Sequence, residues 1–297
     1  MAHRVRRSAY IISMLVVALM IAAAQSGCCS CRRHMKETEA VKTRWVTGRF
    51  GKIRVEDGGL GGIPVVFVHG LGGSLEAWRS QLAHLRPGRR AIALDLHGMG
   101  QSDPSAGGIY TIPSFADDIR SVADSLGLNR FILVGHSLGG TVVADYAGRY
   151  PGKVAGLLLD DPAGDLSGLP KQQMEAWLKG FSPENYDAFR EKWFGEMLAD
   201  ARPRVKEIVM AQLRKTPREV VAASAQGLFA FDPKPSLVAY KGPMLTMITP
   251  QNREPYSLQN VVPGLKSQLV PNTSHWIMMD DPEAFNAVMD QFLATIH

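Results

Sequence analysis

Ser137 stands in Gly135-His136-Ser137-Leu138-Gly139, a G-x-S-x-G run that follows the apolar, β-branched and aromatic stretch Phe131 to Val134. Glycines two residues to either side of a serine let a strand turn sharply into a helix. That turn lifts the hydroxyl clear of the sheet, where a base can reach it. A hydroxyl so placed can attack a carbonyl; the competing reading is an ordinary glycine-rich turn carrying a solvated serine. The flanks favour the strand-to-helix turn, because Gly140 to Tyr150 has helical spacing and stops before Pro151. Such a nucleophile needs a base. His275 is a candidate: it lies in a loop between the last strand-like run and the final helix, and the other C-terminal histidine is the terminal His297.

The elements that must bring these residues together alternate along the chain. Thr43 to Phe50 and Lys52 to Glu56 alternate in polarity and are split by Gly51, as in an antiparallel hairpin, and Asp57 to Gly62 reads as a turn. Pro64 to Val68, Arg90 to Leu94, Phe131 to Val134 and Val154 to Leu159 read as strands, followed later by Pro243 to Thr249 and Ser267 to Val270. Continuous apolar runs of this kind suit parallel strands covered on both faces. Between them lie an amphipathic Leu75 to Leu85 with Trp78, Leu82 and Leu85 on one stripe, a helix over Ser114 to Leu126 with Ser114 as cap, and a closing helix over Pro282 to Ile296. From Gly164 to about Lys234 the strands give way to helical stretches over Lys171 to Leu178, Pro183 to Asp200, Arg204 to Lys215 and Pro217 to Phe229. The alternation predicts an α/β fold with a mainly parallel, doubly covered sheet.

Three further segments join the serine motif: His69-Gly70-Leu71-Gly72-Gly73-Ser74 after a strand, Asp95 to Asp103 in a D-x-x-G-x-G-x-S-D pattern, and Ser274-His275-Trp276 before the last helix. With them, the chain from about Trp45 to Leu293 resembles the α/β-hydrolase fold family. The resemblance implies a mainly parallel eight-stranded sheet covered by helices, with a helical lid inserted after the sixth strand. The core would then span 43–163 and 236–297, and the lid 164–235. It also implies an oxyanion hole made by the backbone N–H groups of Leu71 and Leu138, structural roles for Asp95, Asp103 and His136, and acyl transfer to water with His275 taking the proton of Ser137.

The expected activity is that of a serine hydrolase acting on a carboxylic ester, lactone or thioester, without metal or cofactor. Serine in the slot where dehalogenases and epoxide hydrolases carry aspartate argues against both, and no H-G-G-G run is present. Carbon–carbon bond hydrolysis, perhydrolysis and a non-catalytic binding protein on the same fold stay open. Aromatic and methionine residues of the lid (Trp177, Phe181, Phe189, Trp193, Phe194 and Met197) point to a small, apolar, ester-like substrate, partly as core and partly as pocket wall.

The acid of the triad is irregular. Relatives usually carry it just after the strand that is here Pro243 to Thr249, but this chain reads Thr249-Pro250-Gln251-Asn252, with Asn252 in the aspartate slot. An amide can orient an imidazole without supplying the charge that stabilises imidazolium. Some haloalkane dehalogenases place the acid at the end of the preceding strand instead, and Asp161 stands there. Glu254 and Asn252 are the alternatives; Asp160 is disfavoured because alternation along a strand turns it to the other side.

The composition, with 45% hydrophobic and 21% charged residues in 297, fits a globular chain with one sizeable core. The net charge of +5 includes Arg4, Arg6 and Arg7 and gives no reason to expect nucleic acid. Those arginines precede the apolar run Tyr10 to Ala24, shorter than the ~20 residues a membrane span needs, so 1–27 reads as a signal peptide or membrane anchor and 28–42 as a linker. Ser26-Gly27-Cys28 resembles the end of a lipoprotein signal, although Gln25 stands where an aliphatic residue is usual. The expected location is outside the cytoplasm: periplasmic, membrane-attached or secreted. Cys28, Cys29 and Cys31 are all the cysteines, so the folded part has no disulfide of its own, and nothing that follows them has zinc-ligand spacing. The oligomeric state is not legible.

Overall fold

The computed structural model describes residues 41–297. The expectations for the signal or anchor, for lipid on Cys28 and for most of the linker fall on residues outside that range.

Eight strands form one sheet in the order β1-β2-β4-β3-β5-β6-β7-β8. They are β1 (Lys42–Thr47), β2 (Lys52–Gly58), β3 (Val65–Val68), β4 (Ala91–Leu94), β5 (Phe131–His136), β6 (Val154–Asp160), β7 (Met244–Ile248) and β8 (Lys266–Leu269). β1 pairs antiparallel with β2 and β2 antiparallel with β4, while every pairing from β4 through β8 is parallel. Every residue of β3, β4, β5 and β6 is buried. That is why their sequences are unbroken apolar runs rather than alternating ones. The edges differ: β1 and β8 are mostly exposed and carry Lys42, Arg44, Lys266 and Gln268, which discourage pairing with another sheet.

Helices cover the sheet: α1 (Arg79–Leu85), α2 (Ile112–Ser125), α3 (Leu138–Arg149), and, at the C-terminus, α10 (Ile277–Asp280) and α11 (Pro282–Leu293). Between β6 and β7 a helical segment holds α4 (Lys171–Gly180), α5 (Tyr186–Met197), α6 (Pro203–Lys215), α7 (Arg218–Phe229) and α8 (Lys234–Ala239), and α9 (Leu258–Val261) follows β7. Asp165, ahead of α4, and Lys234, the first residue of α8, form an ion pair of 2.7 Å. The pairing lowers the Asp165 carboxyl against the opposing effect of its burial.

Three local expectations change. The cap of α2 is Thr111, not Ser114: the Thr111 hydroxyl accepts from Ser114 N–H at 3.3 Å and the Ser114 hydroxyl accepts from Thr111 N–H at 2.8 Å, so Ser114 is the far half of a capping box. Strand β2 runs through Asp57 and Gly58 instead of turning at Asp57, because Asp57 takes a two-pronged hydrogen bond from Arg90 at 2.9 Å while its backbone pairs with Ile92. The amphipathic stretch from Leu75 opens as a 3₁₀ turn over Leu75–Trp78 before α1, with the Leu75 N–H held by Asp95 Oδ1 at 2.7 Å. Asp95 also accepts from Gln101 N–H at 2.9 Å, and Asp103 accepts from Lys52 N–H at 2.9 Å. Both acids thus tie down the loop between β4 and α2.

Candidate active site

Ser137 lies between β5 and α3 with φ 52° and ψ −120°, a backbone conformation that L side chains rarely adopt. The flanking glycines are required by contact. A Cβ on Gly135 would sit 2.4 Å from the Gly139 carbonyl oxygen, and one on Gly139 would sit 2.5 Å from the carbonyl oxygens of both Val68 and His69. The turn is therefore wedged against the end of β3, and the serine side chain stays partly exposed.

The loop after β3 approaches the same turn. A Cβ on Gly70 would come within 3.1 Å of Ser137 Cβ and 2.7 Å of His136 Nδ1. His69 fixes this loop: Nε2 accepts from Leu96 N–H at 3.0 Å, which leaves Nδ1 protonated to donate to the Gly70 carbonyl at 2.8 Å. Burial lowers its pKa more than the neighbouring Asp95 charge raises it, so the ring is neutral. The Gly70 carbonyl and the Leu71 N–H belong to one peptide unit, so His69 orients that N–H. Among the described residues, neither the Leu71 nor the Leu138 N–H is bonded to another protein group. At the first position of α3, Leu138 has no acceptor within the helix.

His275 is placed from three sides. Asp280 accepts from Ser274 N–H at 2.9 Å and from the Ser274 hydroxyl at 2.5 Å, which shapes the loop. His136 Nε2–H donates to the His275 carbonyl at 2.8 Å, and the two rings stand 4.7 Å apart. Burial, then the charge of His275, hold His136 well below the ordinary histidine pKa, so it serves as a neutral donor. The ring of His275 meets Asp161, with Nδ1 and Oδ2 2.6 Å apart.

Asp161 follows β6 with φ 41°, another left-handed non-glycine residue. Its N–H donates to the Met247 carbonyl at 2.9 Å. Oδ1 accepts from Thr249 N–H at 2.9 Å, from the Thr249 hydroxyl at 3.2 Å and from Asn252 Nδ2 at 3.0 Å. Asn252 thus bonds to the carboxylate rather than to the imidazole. The Glu254 side chain is exposed and makes no hydrogen bond among the described residues. Asp160 points elsewhere: it is fully buried and neither oxygen has a partner among the described residues. Burial, then the Asp161 charge, raise its pKa well above the ordinary carboxylate range. Thr249, Asp280 and His69 are supports that sequence reasoning did not assign; only the position of His69, directly before the Gly70–Leu71 peptide, gave a signal.

Ser137, His275 and Asp161 line one cavity of about 430 Å³. One wall is apolar, built by Leu166, Trp177, Trp193, Phe194, Met197 and Phe229; the rim carries Glu196, Asp200 and Glu254 and no lysine or arginine. Among the described residues, no cluster of histidine, cysteine or carboxylate side chains could hold a metal ion.

The sequence model of the alpha/beta hydrolase fold matches residues 63–282. The chain is 29% identical over 258 residues to the non-heme chloroperoxidase CPO-A1 of Kitasatospora aureofaciens, covering 78% of this chain and 92% of that one. It is also 29% identical over 178 residues to a dihydrolipoyllysine-residue acetyltransferase component of an acetoin cleaving system from Cupriavidus necator. That match covers 60% of this chain and 47% of the relative, so the chain spans about half the relative's length. Among solved structures, a thermophilic esterase from Thermogutta terrifontis superposes with a TM-score of 0.74 at 25% identity, covering 86% of this chain and 99% of the esterase.

Proposed function

Because the chain belongs to the alpha/beta hydrolase fold family, we propose that it is a serine hydrolase that cleaves a carboxylic ester, or the related lactone or thioester, through an acyl-enzyme on Ser137. The observation that carries this reading is the 2.6 Å bond between His275 Nδ1 and Asp161 Oδ2 in the cavity that Ser137 also lines. With Nδ1–H held by the carboxylate, Nε2 is the free base. It takes the Ser137 proton as the oxygen attacks the substrate carbonyl, and Asp161 stabilises the imidazolium that forms. The Leu71 and Leu138 N–H groups receive the oxyanion, and each such donor is worth about 3 kcal/mol at the transition state. The proton then passes from His275 to the leaving alcohol. Water, deprotonated by the same imidazole, releases the acid from Ser137.

The helical segment supplies the apolar wall of the cavity that Ser137 also lines, which supports reading it as a lid. A fluorophosphonate probe tests the reading directly, since it phosphonylates an activated serine and spares an ordinary one. The wild-type chain should label stoichiometrically and turn over p-nitrophenyl butyrate; Ser137→Ala should do neither. Equal labelling of the variant would sink the assignment. A second reading, perhydrolysis, draws on the similarity to a chloroperoxidase: hydrogen peroxide would replace water in the second step and release a peracid. Formation of peracetic acid from acetate and hydrogen peroxide would separate it from simple hydrolysis.

A further inference from the structure

We propose that Asn252 is a positioning residue for the Asp161 carboxylate, locked in that task by Ser257. The proposal rests on the serine-hydrolase reading above and adds to it the reason an amide occupies this place. Asn252 Nδ2 donates to two acceptors, Asp161 Oδ1 at 3.0 Å and the Pro162 carbonyl at 3.1 Å. Both are acceptors only, so the nitrogen end must face them. The other end, Asn252 Oδ1, accepts from the Ser257 hydroxyl at 2.7 Å, and the Asn252 carbonyl accepts from Gln259 Nε2 at 2.7 Å. The amide therefore has no loose end, and its support reaches to the start of α9.

The carboxylate gains a defined orientation from this arrangement. Oδ1 takes the Thr249 N–H and Asn252 Nδ2, the Thr249 hydroxyl is shared between Oδ1 at 3.2 Å and Oδ2 at 3.3 Å, and Oδ2 faces the imidazole. Without Asn252 the carboxylate would lose one donor on Oδ1 and part of its orientation, and more of its negative charge would be felt by the imidazole. An aspartate at 252, once ionised, could not donate. It would set a second carboxylate against the first, and a charge within about 4–6 Å shifts a neighbouring pKa by one to three units. Other titratable groups around the pair are His136 from β5, Asp160 at the end of β6, Glu254 and Tyr256 after β7, Glu196 from α5 and Asp200 beyond it. All stay in place in the variants below.

The experiment is the pH profile of kcat/KM for p-nitrophenyl butyrate, with rates divided by the sites that a fluorophosphonate titrates. Asn252→Leu should lower kcat on the plateau between about ten- and a hundredfold with KM nearly unchanged, and should move the acidic limb to higher pH. Asn252→Asp should move that limb further, by about one pH unit or more, and Ser257→Ala by less, in the same direction. A purely structural role predicts fewer titratable sites with an unmoved limb. An Asn252→Asp profile that superposes on the wild type in limb and plateau would overturn the proposal. Should that variant yield no titratable sites, Ser257→Ala decides by the same criterion. Absence of labelling in the wild type would instead remove the serine-hydrolase reading itself.

Discussion

The Ser137 amide donates to the Asp160 carbonyl over 3.0 Å, which ties the turn carrying the hydroxyl to the strand residue directly before Asp161. The proposed nucleophile and acid thus sit at the ends of adjacent strands, β5 and β6, and only His275 comes from elsewhere in the chain. Geometry between the two is set by one parallel pairing, His136 opposite Asp160.

Asp161→Asn should lower kcat for p-nitrophenyl butyrate by about 10⁴-fold, as loss of a triad carboxylate does when the imidazole takes the wrong tautomer. Glu254→Gln should stay within about twofold of the wild type, because that side chain is exposed and bonds to nothing among the described residues. Circular dichroism would show both variants folded. A large fall for Glu254→Gln with little change for Asp161→Asn would transfer the acid's role.

Asp160 makes stability depend on pH. Burial raises its folded-state pKa well above that of the unfolded chain, so its contribution is fully present below the ordinary carboxylate pKa of about 4 and is lost as pH rises from there toward the folded value. Asp160→Asn, which stays neutral, should unfold at higher urea than the wild type at pH 7.5, and the gap should close toward pH 4.5. A gap that is constant across that range would mean that Asp160 titrates alike in both states.

The cavity should select acyl groups by length and charge. Its apolar wall should favour a hexanoyl over an acetyl ester in kcat/KM. The rim carboxylates of Glu196, Asp200 and Glu254 should disfavour a succinyl half-ester, and 0.5 M salt should narrow that penalty. A substrate panel that ranks the succinyl ester first would contradict the reading of the cavity.

Two glycines should answer oppositely to alanine. In Gly139→Ala the new Cβ meets backbone oxygens at 2.5 Å that cannot swing aside, so soluble protein should be lost or strongly destabilised. Gly195, inside α5, has open space where its Cβ would go, and Gly195→Ala should stabilise by about 0.5–1 kcal/mol through helix propensity. Thermal unfolding of the second variant and expression of the first are the readouts.

We also propose that the chain is exported, on the strength of Arg4, Arg6, Arg7 and the apolar run that follows them. Fractionation should find it outside the cytoplasm, and mass spectrometry of the mature N-terminus should show cleavage after Ala24, lipid on Cys28 or an intact anchor. Full-length protein in the cytosol would refute export.

What the sequence displays well is what depends on near neighbours. The unbroken runs of β3, β5 and β6 announce buried parallel strands, and Gly135 and Gly139 announce the strained turn. What it hides depends on distant partners. At the start of α2, Thr111 and Ser114 are both good caps, and only the reciprocal bonds distinguish them. The one-turn helices α9 and α10 lack any periodic run, and α10 draws its shape from Asp280 turning back onto Ser274. Thr249 gives no sign in sequence that its N–H and hydroxyl both serve a carboxylate 88 residues earlier.

The ion pair between Asp165 and Lys234 has a polymer-physical consequence. It joins the start of α8 to the chain ahead of α4, so the stretch that carries α4 to α7 is a closed loop whatever it contains. The entropy of closing such a loop grows only with the logarithm of its length, and doubling the length costs about 0.6 kcal/mol. The sheet, with its serine, histidine and acid, is therefore thermodynamically almost indifferent to how long the intervening chain is. The wall of the cavity can be rebuilt to suit another ligand while Ser137, His275 and Asp161 keep their places.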